Sequence, residues 1–324
     1  KVWGSPMSDD LQPQMRALLT KMDELGLPKT HTLTPEAARS LMETLAKARQ
    51  AEYPPPQVEE VEDTVTGPDH GNVTVRIYRT SHDDKAPAIV FFHGGGHVIG
   101  TRNSYDTVAR FLALKAGCTL VSVEYRLAPE HPFPAAVDDC YDATRWVADN
   151  ASELRIDPTK IAVCGDSAGG NLAAVVALMA RDSGPVARCA QVLVYPVVDY
   201  RNETPSYERY GQGYGVLETE SATWFMEKYL PEEAQRDDWR ASPHLAESHE
   251  GLPPALVLTA ECDILHDEGV DYYNQLRDAG VAAEHVEFPG MVHAFFNYLG
   301  YVDDAERAHE AVADFLRRVW ERPH

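Results

Sequence analysis

From residue 88 onward, short continuous apolar runs alternate with amphipathic helical stretches, and this alternation limits the folds open to the chain. Continuous apolar runs are typical of strands that are buried on both faces of a sheet. Strand followed by helix, repeated along the chain, predicts a doubly wound and mostly parallel sheet. The predicted strands are Ala88 to Phe92, Thr119 to Glu124, Ile161 to Cys164, Ala190 to Tyr195, Ala255 to Thr259 and His285 to Phe288. The predicted helices are Tyr105 to Lys115, Pro134 to Asp149, Gly169 to Arg181, Asp267 to Ala279 and Asp303 to Trp320.

The segment before residue 88 has a different pattern. Two amphipathic helices are predicted, from Asp10 to Leu25 and from Pro35 to Glu52, the second with Thr34 as its N-cap. The β-branched runs Val58 to Thr66 and Val73 to Tyr78 flank a glycine-rich turn. They predict an antiparallel hairpin whose two strands lie at the edge of the sheet.

Residues 199–251 interrupt the alternation, because they carry no strand signal and are rich in aromatic side chains. We interpret this segment as an inserted, mostly helical cap that covers the strand ends together with the N-terminal helices. The predicted organisation has four parts: N-terminal helices that contribute to the cap (7–55), the first part of an α/β core (56–198), the cap insertion (199–251) and the second part of the core (252–324).

Composition restricts the partners of the chain. Its 324 residues include 51 acidic and 29 basic side chains, which gives a formal net charge of −22. Such a surface repels phosphate groups, so a nucleic-acid partner is not expected. The five cysteines form no CxxC pair and are odd in number, which argues against a zinc site and against a disulfide framework.

The sequence shows no signal for membrane insertion or export. No apolar stretch approaches the roughly 18 residues of a spanning helix, and the N-terminus has no basic start followed by an apolar core and a cleavage site. We therefore expect no membrane span and a cytoplasmic location. Lys1 to Pro6 resemble a vector-derived leader and are left out of the fold prediction.

The string GDSAGG, at residues 165–170, follows a predicted strand and precedes a predicted helix. A serine in a tight strand-to-helix turn crowds the residues two before and two after it, so Gly165 and Gly169 fit this role. The turn would expose the hydroxyl of Ser167 at a helix N-terminus, where N–H groups favour developing negative charge. This context predicts a nucleophilic serine.

The string HGGG begins at His93, immediately after the first strand of the alternating region. Consecutive glycines leave bare N–H groups that can converge on one oxygen, and the N–H of Ala168 can supply a further donor. The pattern predicts an oxyanion hole. A phosphate-binding loop is the rival interpretation, but the chain contains no GxxxxGK[ST] string.

A serine nucleophile in such a sheet requires an acidic residue and then a histidine, each at the end of a later strand. Asp263 fits best, because it follows the run that ends near residue 260, and His293 follows the strand that ends near residue 288. The rival acids are Glu261, Asp267 and Glu268, and the rival histidines are His244, His249, His266 and His285.

Taken together, the sequence resembles the hormone-sensitive-lipase-like bacterial esterases, also called family IV. The resemblance is carried by HGGG, by the string YRLAPEHPFPAA at residues 125–136, by GDSAGG, and by the segments around residues 263–268 and 290–295. It implies an α/β-hydrolase fold, in which a mostly parallel central sheet is flanked by helices and carries a helical cap. It also implies hydrolysis of short- to medium-chain acyl esters through an acyl-enzyme intermediate, without cofactor or metal, and often as a homodimer. The site residues that it implies are the triad Ser167, Asp263 and His293, and the oxyanion-hole donors Gly94, Gly95 and Ala168.

Two positions depart from the family pattern: His97 stands where an aromatic residue is common, and Ile264 replaces a common proline. We expect His97 to change the polarity of the pocket. Asp166 is expected to help hold the serine turn, and Glu268 to lie near the triad histidine and support it. The alternatives are an amidase, formamidase or peptidase with the same triad, and a ligand-binding protein of this fold without turnover.

Overall fold

The computed structural model of the chain describes residues 9–183, 189–201 and 203–322, and each structural statement below refers to these residues. The segment that was interpreted as a leader lies outside them, as do residues 7, 8, 323 and 324 at the ends of the two outer predicted parts. Across the described ranges, none of the helices has both the length and the apolar composition that crossing a bilayer requires.

Eight strands of the described chain form one sheet. In chain order they are β1 (Glu60–Val65), β2 (Thr74–Arg79), β3 (Ala86–Phe92), β4 (Thr119–Glu124), β5 (Ile156–Asp166), β6 (Ala190–Val194), β7 (Ala255–Cys262) and β8 (Ala283–Val292). Their order across the sheet is β1-β2-β4-β3-β5-β6-β7-β8. The β1–β2 and β2–β4 pairs are antiparallel, and the other five pairs are parallel. The predicted mostly parallel sheet is therefore confirmed.

The central strands are apolar on both faces, as the continuous runs in the sequence require. Phe91 and Phe92 of β3 point to opposite faces of the sheet, yet both are fully buried. Burying an aromatic or aliphatic side chain of this size contributes about 2–3 kcal/mol to stability. Both faces of the sheet are therefore covered by helices. Because these strands run parallel, the carboxyl ends of β3, β5, β7 and β8 lie at the same edge of the sheet.

Three strand predictions need correction. β5 begins at Ile156, earlier than predicted, because this residue pairs with Ala86 before a bulge, and regular pairing resumes at Ile161. Pro158 lies in the irregular part of the strand, where a proline is tolerated. In the sequence, this proline argues against a strand before Ile161. β8 continues beyond the predicted end to Val292. Finally, β2 pairs with both β1 and β4, so only β1 of the hairpin is an edge strand.

Nine α-helices surround the sheet in the described part of the chain. They are α1 (Pro13–Glu24), α2 (Pro35–Glu52), α3 (Asp106–Ala116), α4 (Ala135–Asp149), α5 (Ala168–Ser183), α6 (Pro205–Tyr210), α7 (Thr219–Tyr229), α8 (His266–Asp278) and α9 (Asp303–Trp320). The predicted N-cap of α2 is confirmed, since the Thr34 hydroxyl accepts a hydrogen bond from the N–H of Ala37 at 3.2 Å. Pro35 takes the first position of this helix, where its missing N–H has no cost.

The segment 199–251 contains α6, α7 and two short 3₁₀ turns, and its described residues form no strand. Asn171, a fully buried residue of α5, fastens the chain just before this segment and a turn within the segment to the core. Its amide donates hydrogen bonds of 2.8 Å to the carbonyl of Val197 and of 2.8 Å to the carbonyl of Ala241. Both carbonyls are thereby satisfied in the interior, where an unpaired acceptor is costly.

We expect Asn171→Ala to lower the free energy of unfolding by about 2–5 kcal/mol, because two buried carbonyls lose their donor and a small void remains. Urea denaturation followed by circular dichroism measures this change. The matched control is Asn274→Ala in α8, where no side-chain hydrogen bond is lost in the described structure. Equal effects of the two substitutions would show that Asn171 does not fasten the segment.

Candidate active site

Ser167 lies in the tight turn between β5 and α5, with a positive φ of 57°. Its N–H donates to the carbonyl of Val194 at 2.8 Å, which fixes the turn against β6. A Cβ at Gly165 would lie 2.2 Å from the carbonyl oxygen of Gly169, and one at Gly169 would lie 1.9 Å from the carbonyl oxygen of Phe92. No side chain fits at either position, so the motif glycines are required by close backbone approach.

Three side chains predicted from separate parts of the sequence are in hydrogen-bond contact. The Nε2 atom of His293 lies 2.8 Å from the Oγ atom of Ser167, and its Nδ1 atom lies 2.6 Å from the Oδ2 atom of Asp263. The other carboxylate oxygen of Asp263 accepts a hydrogen bond from the N–H of Leu265 at 2.9 Å. The carboxylate is therefore held on both sides, and it orients the imidazole toward the serine hydroxyl.

The rival acids have other partners. Glu261 accepts a hydrogen bond from the N–H of Gly290 at 2.8 Å, and Asp267 accepts one from the N–H of Ser206 at 2.9 Å. The first bond joins β7 to β8, and the second joins the start of α8 to the start of α6. Among the described acids, only Asp263 pairs with His293.

The rival histidines also bond elsewhere. Their partners are Gln275 for His244, the carbonyl of Pro243 for His249, two carboxylates for His266 and the hydroxyl of Thr259 for His285. None of these four reaches Ser167 in the described structure, so the position directly after β8 distinguishes His293 from the other histidines.

The HGGG loop differs from prediction at Gly94. Its N–H already donates to the Oδ1 atom of Asp166 at 2.8 Å, so this group is not free to bind a substrate oxygen. Within the described residues, the N–H groups of Gly95 and Gly96 have no hydrogen-bond acceptor, and both residues line the pocket that contains Ser167. The N–H of Ala168, at the start of α5, is likewise unpaired there.

Asp166 connects the serine turn to the HGGG loop. Besides the N–H of Gly94, its carboxylate accepts hydrogen bonds from the hydroxyl of Tyr105 at 3.0 Å and the amide of Asn297 at 3.2 Å. The hydroxyl of Tyr195 lies 3.4 Å away. Burial raises the pKa of the Asp166 carboxyl, while the donated hydrogen bonds act in the opposite direction.

Sequence reasoning missed Tyr105, Tyr195 and Asn297, which surround this carboxylate. Tyr105 precedes α3, Tyr195 directly follows β6, and Asn297 lies in the short 3₁₀ turn after His293. No local pattern marks them. Only their placement at the ends of strands or beside a predicted site residue could have drawn attention to them.

Glu268 is buried at the start of α8, but its hydrogen bonds do not go to His293. It accepts from the N–H groups of Val198 at 2.7 Å and Asp199 at 2.9 Å, where the chain leaves the core. Burial raises the pKa of Glu268 to about 8, and the nearby carboxylates of Asp199 and Asp263 act in the same direction. Its contacts therefore hold the entry to segment 199–251 rather than the imidazole.

His97 is buried beneath segment 199–251 and is not part of the pocket wall. Its ring stacks on Tyr229 with centroids 3.6 Å apart, and its Nε2 atom lies 2.8 Å from the hydroxyl of Tyr200. Burial lowers the pKa of His97 to about 3, so the ring is neutral. The expectation that His97 changes the polarity of the pocket is not met, because the side chain packs against Tyr200 and Tyr229 of segment 199–251 instead.

A pocket of about 210 Å³ opens onto Ser167 and His293. One wall is the inner face of α2, and another comes from residues 216, 217 and 225 of the inserted segment. Phe225 of α7 lies directly against Gly96, where an added Cβ would lie 2.3 Å from the ring. The lining is mostly apolar, which suits the carbon chain of a small organic molecule.

Among the described residues, no group of three or more His, Cys, Asp or Glu side chains has the arrangement of a metal site. All five cysteines are buried and unpaired.

Comparison with known proteins identifies relatives over most of the chain. The profile of a family described as alpha/beta hydrolase fold matches residues 89–297. An ethyl acetate hydrolase of Pseudomonas putida is 40% identical over 79% of this chain and 81% of its own length. A carboxylesterase of Mycobacterium tuberculosis is 38% identical over 92% of this chain and 93% of its own length. The solved structure of a hyperthermophilic esterase from the archaeon Pyrobaculum calidifontis superposes with a TM-score of 0.90, at 38% identity, over 96% of this chain and 99% of the other.

The raised pKa of Glu268 predicts a pH-dependent stability. Between the ordinary pKa of a glutamate, about 4.3, and the folded value of about 8, the folded state binds a proton that the unfolded state has lost. The free energy of unfolding should therefore decrease as the pH rises through this interval, and Glu268→Gln should flatten the decrease.

Urea denaturation at pH 5, 6, 7, 8 and 9 tests this expectation. The stability of Glu268→Gln relative to wild type should increase steadily toward pH 8. The exposed Glu153→Gln serves as the control and should keep the wild-type slope. Parallel pH profiles for wild type and Glu268→Gln would contradict the expectation.

Proposed function

Because this chain belongs to the α/β-hydrolase family, and within it to the hormone-sensitive-lipase-like carboxylesterases, we propose that Ser167, His293 and Asp263 form its catalytic triad. The observation that carries the proposal is the continuous hydrogen-bond chain from the carboxylate through the imidazole to the hydroxyl, at 2.6 and 2.8 Å. This order of acid, base and nucleophile is the one that acyl transfer requires.

The chain is an esterase that acts on small-molecule carboxylic esters. Relatives at 38–40% identity over most of its length are an ethyl acetate hydrolase, a carboxylesterase and an arylesterase. We propose short- to medium-chain acyl esters as the substrates. The pocket of about 210 Å³ supports this choice, because it has room for a short carbon chain but is smaller than the usual range for drug-sized ligands, about 300–1,000 Å³.

The first half of the proposed reaction forms an acyl-enzyme. As the Oγ atom of Ser167 attacks the ester carbonyl carbon, its proton moves to Nε2 of His293, and the carbonyl oxygen becomes an oxyanion. The imidazolium is stabilised by Asp263. The protonated His293 then gives its proton to the ester oxygen of the departing alcohol, and the C–O bond breaks.

In the second half, water takes the place of the alcohol. His293 removes a proton from the water as it attacks the acyl carbon, and then returns a proton to Oγ of Ser167 as the acid leaves. We propose that the N–H groups of Gly95, Gly96 and Ala168 stabilise both oxyanions. This assignment replaces Gly94, whose N–H is donated to Asp166, with Gly96, whose N–H is unpaired in the described structure.

We further propose that the N-terminal helices and segment 199–251 act as the cap, and that residues 56–198 and 252–324 form the catalytic core. Both cap segments contribute to the pocket wall, which supports this division. We also propose a cytoplasmic location, a homodimer as implied by the family resemblance, and no nucleic-acid partner. The net charge of −22 supports the last point.

The triad assignment predicts that Ser167→Ala lowers kcat on p-nitrophenyl esters by about 10⁴-fold or more, because the nucleophile is lost. The measurement uses acetate, butyrate, octanoate and palmitate esters and a matched p-nitroanilide. For wild type, kcat/KM should be greatest at the short acyl chains. The exposed Ser40→Ala in α2 is the control and should retain wild-type rates.

Activity that survives in folded Ser167→Ala would overturn the assignment. Faster cleavage of the anilide than of the ester would favour an amidase, formamidase or peptidase. Absence of turnover by folded wild type on every substrate would favour a binding protein without catalysis.

The contacts of Asp166 predict a second effect on turnover. Asp166→Asn removes the carboxylate that holds Gly94, Tyr105 and Asn297, so the adjacent donors of the HGGG loop lose their fixed position. We expect kcat to fall about 10–100-fold with little change in KM, since donors that act mainly in the transition state are displaced. The control is Asp157→Asn at the far end of β5. A rise in KM at unchanged kcat would instead place Asp166 in substrate binding.

A further inference from the structure

The face of α2 that lines the pocket is apolar until its last turn. Ala38, Leu41, Met42 and Leu45 line the pocket, and Arg49 continues the same face one turn later. This spacing of three and four residues belongs to a single helical stripe. The stripe thus places Arg49 in the same wall of the pocket as four apolar residues of α2.

The guanidinium of Arg49 has no partner in the described structure. Its side chain makes no ion pair and no hydrogen bond with any described residue, although it is half-buried. Arg39, on the same helix, shows the contrast: it donates to the carbonyls of Val98 and Ala128, each at 2.8 Å, and pairs with Glu130. Arg39 therefore has a structural role, whereas the contacts of Arg49 leave its donors available.

The charged and titratable groups that face this pocket are few. Asp166 is saturated by its own donors, and His293 is paired with Asp263. The positive charge of Arg49 is close enough to Tyr298, which also lines the pocket, to oppose the effect of burial on that residue's pKa. Arg49 is thus a local positive charge within the wall of the site that holds Ser167.

We propose that Arg49 binds a carboxylate carried by the substrate, so that the preferred esters have a carboxylate remote from the bond that is cleaved. This inference rests on the proposed esterase function. A guanidinium recognises a carboxylate through two parallel hydrogen bonds, and partial burial strengthens them. The net charge of −22 repels anionic esters at long range, so a preference for them requires a local cation such as Arg49.

The test compares esters that differ only in the remote carboxylate. On the acyl side, p-nitrophenyl monoesters of adipic, pimelic and suberic acid are compared with neutral p-nitrophenyl esters of the same chain lengths. On the alcohol side, butyrate esters of ω-hydroxy acids are compared with those of the corresponding alkanols by pH-stat titration. For each pair, the readout is the ratio of kcat/KM for the anionic ester to kcat/KM for the neutral ester.

In wild type, the ratio should exceed one in at least one of the two series and decline with added NaCl. Arg49→Gln should lower this ratio about tenfold, as expected for one lost charge-assisted interaction. Arg49→Lys, which keeps the charge but not the planar donor pair, should give an intermediate ratio. The control is Lys47→Gln, which removes the same charge from an exposed position of α2 and should leave the ratio unchanged.

Because each ratio is measured within one variant, a general loss of activity does not change it. Equal ratios in wild type, Arg49→Gln and Lys47→Gln, with turnover of neutral esters intact, would overturn the role of Arg49 and leave the esterase function standing. Lack of turnover of every ester by folded wild type would instead refute the proposed function itself.

Discussion

The proposed catalytic centre depends on the close approach of two backbone segments, the turn after β5 and the loop after β3. At Gly169 the approach is so close that a Cβ would lie 1.9 Å from the carbonyl oxygen of Phe92. Asp166 joins the same two segments through the N–H of Gly94. The serine and the candidate oxyanion donors are thereby held by contacts between these two segments, which follow the neighbouring strands β3 and β5. Little conformational freedom then remains to be lost when a transition state binds.

Much of the fold could be predicted from the sequence because buried parallel strands leave a simple pattern of continuous apolar runs. Because these runs also mark where the strands end, Ser167, Asp263 and His293 are predicted at strand ends. The structure brings their side chains into contact. The start of β5 could not be predicted, because pairing before the bulge depends on Ala86 of a neighbouring strand rather than on local sequence. The position of β2 inside the sheet is also a tertiary property.

The site shows a similar limit. HGGG predicts bare N–H groups, but no pattern in the sequence indicates that Asp166 accepts a hydrogen bond from one of them. Nor did it reveal that Tyr105 and Asn297 converge on that carboxylate, since they come from distant parts of the chain. Glu268 is predicted from the sequence to lie near the imidazole of His293. Its contacts with Val198 and Asp199 depend instead on where the chain leaves β6.

The pocket wall formed by α2 lies outside the sheet, in a segment that precedes all eight strands. Its side chains can therefore change without altering strand register or the distances within the proposed triad. In evolutionary terms, this arrangement separates two kinds of selection, one that preserves the reaction and one that adapts the range of accepted molecules. Sequence differences among related enzymes could then accumulate along a single helical stripe, while the proposed catalytic residues stay the same.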